Sequence, residues 1–105
     1  MKVGDAIGGI YKKINPDGSE VYELVETTIK KITETKRGKT VYPAKHFYSM
    51  DAGEIESATE VMENAKGFII QREVVLLTPT IREHFEKWVA WANANPDEVK
   101  SLLEE

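Results

Sequence analysis

The run EVYELVETTIKKITET, residues 20–35, constrains the fold more than any other part of this chain. Val21, Val25, Thr27, Thr28, Ile29, Ile32 and Thr33 are β-branched, and such side chains favour extended backbone. Turn chemistry bounds the run on both sides. Upstream, NPDGS (15–19) puts Pro16 where φ is preset, Asp17 next, and Gly18 where positive φ is needed. Downstream, KRGK (36–39) fits a hairpin loop with Gly38 in the left-handed region. The apolar alternation set by Tyr22 and Leu24 continues badly through Ile29, which predicts a bulge near 26–28. KVGDAIGGIYKKI opens the chain as a strand with a bulge or bend at Gly8-Gly9. TVYPAKHFY (40–48) reads as the strand after the second turn. Pro43 cannot donate to a ladder, so that strand is expected at an edge or bulged.

The pattern changes after residue 50. In DAGEIESATEVMENAKG, Ile55, Ala58, Met62 and Ala65 have helical spacing, Asp51 can cap and Gly67 suits the C-terminal end. This predicts a short acidic helix over 52–66, with an ordered flap as the alternative. FIIQREVVLL (68–77) is apolar on both faces for most of its length and reads as a central strand. In TPTIREHFEKWVAWANAN, Thr78 or Thr80 can cap, Pro79 suits the first turn, and Ile81, Phe85, Trp88, Val89 and Ala92 form one stripe. A second short helix restarts at Asn95-Pro96, with Val99, Leu102 and Leu103 on its apolar side. Strands first and helices last give an α+β fold: an antiparallel sheet or small SH3-like barrel followed by two C-terminal helices. One domain is expected over 1–105, with a β-rich part (1–77) and a helical part (78–105).

Composition narrows the function. The chain has 105 residues, 41% hydrophobic and 30% charged, which is ordinary for a globular domain. It has no cysteine, so thiol chemistry, disulfides and cysteine-based zinc sites are excluded. No leader pattern or membrane span is visible, and a cytoplasmic location is expected. The net charge of −4 is unevenly spread: residues 1–48 carry +3 and residues 49–105 carry −7. Overall acidity argues against duplex nucleic acid as a partner.

Catalytic and metal chemistry find little support. The serines are Ser19, Ser49, Ser57 and Ser101, and the only imidazoles are His46 and His84. Ser49 and His46 would point to opposite faces of one strand. No acid, base and nucleophile converge, so a non-enzymatic protein without cofactor is expected. Neither histidine has metal-ligand spacing, and Asp51 to Glu63 lacks the pattern of a calcium loop.

Three features could bind. The first is a basic and aromatic hairpin: Lys30, Lys31, Lys36, Arg37, Lys39 and Lys45 beside Tyr42, Phe47 and Tyr48. Cations hold phosphates and aromatic faces stack bases; lysines also protect exposed strands from aggregation. If the strand runs through 48, Lys45 and Phe47 share one face and Tyr42, His46 and Tyr48 the other. The second is Arg72, in an otherwise apolar strand, which needs a carboxylate or an anion. Arg82, near a helix N-terminus, is also placed for an anion. The third is Trp91, off the main apolar stripe, where it would anchor a homodimer or higher homo-oligomer. The candidate ligand-binding set is Arg37, Lys45, Phe47, Arg72 and Arg82.

The motif string VGD…E…TIKKIT…LT, followed by a helix, resembles small accessory proteins of phages and mobile elements of Gram-positive bacteria. A β-rich part followed by two helices resembles, more narrowly, the phage anti-Thoeris sponge family. That resemblance implies a non-enzymatic oligomer that sequesters a cyclic ADP-ribose signal between subunits, using arginines and aromatics. It is one of architecture, and no family site residue maps onto a position here. The expectation is an anti-defence protein that binds a small phosphate-bearing nucleotide. Two alternatives stay open. One is an inhibitor that binds a host protein, its acidic residues Asp51, Glu54, Glu56, Glu60 and Glu63 imitating nucleic acid, as anti-CRISPR proteins do. The other is a small SH3-like interaction module.

Overall fold

The computed structural model describes residues 1–64 and 74–103, with side chains through Ser101. It is α+β, as the sequence predicts. Five antiparallel strands form a curled half-barrel in the order β4-β3-β2-β1-β5, followed by two C-terminal helices. The strands are β1 (Ala6–Ile14), β2 (Glu20–Thr35), β3 (Gly38–Pro43), β4 (Met50–Asp51) and β5 (Val75–Leu76). The helices are α1 (Ala52–Asn64), α2 (Pro79–Ala94) and α3 (Pro96–Leu103).

Both turns form as their residues require. Gly18 N–H donates to the Asn15 carbonyl at 2.9 Å, Asp17 accepts from the Ser19 N–H at 2.9 Å, and Gly18 has φ +87°. At the second turn Thr35 pairs with Gly38, whose φ is +128°. The bulge, however, lies further along than predicted. The β1–β2 ladder is unbroken from Glu20 to Thr28, and the register shift falls between Ile29 and Lys31. Lys30 is the extra residue. The shift lets Ile29 (buried) and Ile32 (half-buried) both face the core although they are three apart, while Lys30 and Lys31 both stay exposed. Pro43 sits at this irregularity, opposite Ile29, where a missing N–H is tolerated.

No register shift occurs at Gly8-Gly9. Gly8 is needed for close approach instead: a Cβ there would collide with the Val25 carbonyl oxygen and come within 3.0 Å of Leu77 Cδ1.

The expected central strand is also corrected. Its described part, β5, pairs among the described residues with β1 and stands at the end of the sheet order; residues 68–73 lie outside the described residues. Val74 and Val75 are buried because helices cover what neighbouring strands do not. Helix α1 contacts β5 at one sheet edge and β3 and β4 at the other, so it closes the half-barrel's gap. Thr59 makes the joint. Its hydroxyl donates to the Ile55 carbonyl at 2.6 Å and accepts the Leu76 N–H at 2.9 Å.

Helix α1 is the acidic helix expected over 52–66, described as far as Asn64, and not a flap. Asp51 caps it, accepting the Glu54 N–H at 3.1 Å. Thr78 caps α2, with Pro79 in the first turn. The α2 stripe of Ile81, Phe85, Trp88 and Ala92 is buried against Ile10, Tyr22, Val75 and Leu77. Trp88 meets Tyr22 edge-on at 5.1 Å. A second cluster unites Ile7, Ile29, Val41, Ala52 and Ile55.

One side chain ties α2 to an otherwise open strand edge. Asn93 Oδ1 accepts the Tyr22 N–H at 2.8 Å, and Asn93 Nδ2 donates to the Tyr22 carbonyl at 2.9 Å. The amide acts as a one-residue strand where β3 does not reach. Asn93→Ala leaves both backbone groups unpaired and should cost about 2 kcal/mol, lowering Tm by roughly 10 °C. Asn93→Asp keeps the acceptor but sets a carboxylate oxygen against the Tyr22 carbonyl and a negative charge at the end of α2, so in a thermal melt it should fall at least as far as Asn93→Ala.

Candidate functional site

Strand alternation divides the sheet into two faces. Ala6, Gly8, Ile10, Tyr22 and Leu24 share the face that α2 covers. Ile7, Tyr11, Val25, Thr27 and Ile29 share the other face, which is sealed at one end by Val41 and Ile55. The rest of that second face opens into a groove of about 1150 Å³.

Tyr11 and Val25 form its floor; α1 supplies one wall through Glu54, Ser57, Ala58 and Val61; His46, Phe47, Tyr48 and Met50 supply the other. The second wall exists because β3 stops at Pro43. Ala44 N–H donates to the Thr28 carbonyl at 2.9 Å, and the chain then turns at His46, whose φ is +73°. This turn sends Phe47 back over the sheet, where its ring lies 5.7 Å from that of Tyr11. Tyr48 projects outward and is 93% exposed. The strand expected through residue 48 is therefore shortened, and Lys45 and Phe47 do not share a strand face.

The groove is aromatic and only weakly charged. Burial raises the Tyr11 pKa, which keeps the phenol neutral and able to donate a hydrogen bond. Glu54 is the charged lining residue, and no lysine or arginine lines the groove among the described residues. Val61, half exposed on its wall, and Tyr48 are apolar surface that the described fold leaves uncovered.

The five candidate residues do not converge. Phe47 lies in the groove, and Lys45 is exposed on the loop beside it. Arg37 is in the β2–β3 turn, at the far end of the hairpin. Arg82 is bound bidentately to Glu26, at 3.0 and 2.7 Å, on the α2-covered face and about 35 Å along the hairpin from Arg37. Arg72 lies outside the described residues. Trp91 is half-buried and packs beside Trp88 at 6.5 Å, not on an exposed flank. Residue type alone did not single out Tyr11, Met50 or Val61; Glu54 stood out only as part of the acidic run of α1. Tyr11 could have been found: with the NPDGS turn in place, it falls opposite Glu23, on the same face as Val25.

Among the described residues no group of three or more His, Asp or Glu side chains is placed to hold a metal, and no helix is long and apolar enough to cross a membrane. Comparison with family models, curated proteins and solved structures returns no match for this chain.

The Glu26–Arg82 pair yields a pH prediction. The hydrogen bonds from Arg82 lower the Glu26 pKa from 4.5. The pair's contribution is therefore complete above the unfolded carboxylate value and is lost as pH falls through the lower, folded one. The side chains are 35% and 46% exposed, so screening keeps the effect below about 1 kcal/mol. Between about pH 6 and pH 3, wild type should lose more Tm than Glu26→Gln does.

Proposed function

We propose that this protein is a non-catalytic binding module whose groove takes a short segment of a partner protein. The supporting observation is the convergence of Tyr11, Phe47, Tyr48, Met50 and Val61 on one open concavity that the described residues leave uncovered. A large apolar concavity with a few polar groups is where ligands bind. Its polar groups favour one kind of segment. Glu54, the charged side chain of the described lining, matches a lysine or arginine flanking an aromatic or branched apolar anchor. Tyr11 and Ser57 add neutral hydrogen-bonding groups.

Selection from a displayed random-peptide library should enrich an apolar anchor next to a basic residue. Tyr48→Ala and Val61→Arg should each weaken the selected peptide at least tenfold, about 1.4 kcal/mol, with unchanged melting. Enrichment of acidic peptides, or affinity indifferent to both changes, would reject the groove as the site.

A second reading fills the same groove with a phosphate-bearing cyclic nucleotide, as a phage-type sponge in a host cytoplasm would require. It is favoured by the four rings of Tyr11, His46, Phe47 and Tyr48 around one concavity, with Lys45 nearby in sequence. The absence of lysine and arginine from the described lining weighs against it, because phosphate oxygens call for cations. A thermal-shift panel of cyclic nucleotides and ADP-ribose isomers separates the two readings. A bound ligand at about a hundred times its Kd adds about 2.7 kcal/mol. Under the peptide reading no member of the panel shifts Tm.

A further inference from the structure

The outer half of the β2–β3 hairpin lies away from the groove and has its own character. From Lys30 to Tyr42 it carries five lysines and arginines against one glutamate, in a chain whose net charge is −4. That glutamate, Glu34, stands directly opposite Lys39 in the ladder, on the same face. None of the ion pairs formed among the described residues involves Lys30, Lys31, Lys36 or Arg37, and all four are exposed.

The bulge at Lys30 gives these cations their arrangement. A regular strand would put Lys30 and Lys31 on opposite faces. The extra residue keeps both exposed while Ile29 and Ile32 turn inward. Lys31 pairs with Tyr42 across the strands, and its Nζ lies 5.7 Å from the centre of the tyrosine ring. That ring is 40% exposed. On the same face follow Thr33 and Thr40, neutral hydrogen-bonding residues, and then the Lys36-Arg37 turn. The line from Lys31 to Arg37 is about 20 Å long. Asp51, the nearest acid in register, is occupied in capping α1.

An exposed aromatic ring with cations before and beyond it, on an extended ribbon, fits a flexible chain of alternating phosphates and planar bases. Duplex DNA offers no unstacked base to the ring, and the acidic body of the molecule would oppose its wider charged surface. We propose that this hairpin face binds single-stranded nucleic acid, with Tyr42 stacking on a base and Lys30, Lys31, Lys36 and Arg37 on the phosphates. The site is independent of the groove and of what the groove binds.

The test is fluorescence anisotropy of the full chain with a labelled oligothymidylate of roughly 20 nucleotides, titrated over a range of salt. Four phosphate contacts predict a log–log salt slope near −3, and the Lys36→Ala/Arg37→Ala double variant should bring it to roughly −1.5. Tyr42→Leu should weaken binding roughly 5- to 150-fold and leave the slope unchanged. Tyr42 is exposed, and circular dichroism establishes that each variant is folded. No binding at low salt would overturn the proposal, as would a slope unaffected by the double variant. Equal affinity for a duplex of the same length, or for polyglutamate, would overturn it too, because either result reduces the hairpin to a nonspecific or protein-directed charge.

Discussion

The structure depends on one sixteen-residue strand that no single neighbour can satisfy. Strand β2 pairs with β1 through its first half and with β3 through its second. Among the described residues each half therefore has a side without a strand, and the backbone groups there need other partners. Different parts of the chain supply them. Asn93 of α2 takes both groups of Tyr22. Ala44 N–H takes the Thr28 carbonyl, and the Gly4–Asp5 backbone takes Ile29. The N-terminus, the β3–β4 connection and the long helix are thus held to one strand by hydrogen bonds at its edges. The groove is a by-product of this scheme, because the segment that satisfies Thr28 continues into His46 and Phe47.

Local chemistry made much of the fold legible. Proline, aspartate and glycine spelled out the first turn, Asp51 and Thr78 marked two helix starts, and the Ile81–Ala92 stripe named the face that packs. What escaped was set by contacts distant in sequence. Val74 and Val75 are apolar because helices flank an edge strand, a situation that a run of valines does not distinguish from a central position. Glycine at position 8 reads as an irregularity, whereas it answers to a carbonyl on the neighbouring strand. The bulge lies further along than the alternation predicts, because the core takes both Ile29 and Ile32, three positions apart, and Val41 and Ile55 are what they pack with.

The candidate sites were less legible for a related reason. Arginines and lysines draw attention by charge, yet Arg82 is held by a glutamate fifty-six positions earlier. Tyr11 and Val61 look like ordinary core residues until the sheet register and the end of β3 are known. In the sequence Pro43 stands out for the hydrogen bond it cannot make. Its larger effect is to end the strand, so that the aromatic residues after it line a groove instead of alternating across a sheet.

The closure of the half-barrel has a bearing on how the chain acquires its shape. Two of the pairings, β1 with β2 and β2 with β3, join neighbours in sequence through tight turns, and such hairpins assemble in microseconds. The pairing of Ile7 with Leu76 spans most of the chain, and the entropy of closing so long a loop must be met before that contact gives anything back. The three-stranded ribbon is therefore expected first and the β5 seam last. On a ribosome, the β1 edge and the apolar face of α1 would emerge well before the segment that joins them. The seam held by Thr59 then covers the face under α1, and the face that carries Ile10 and Tyr22 stays bare until α2 follows it.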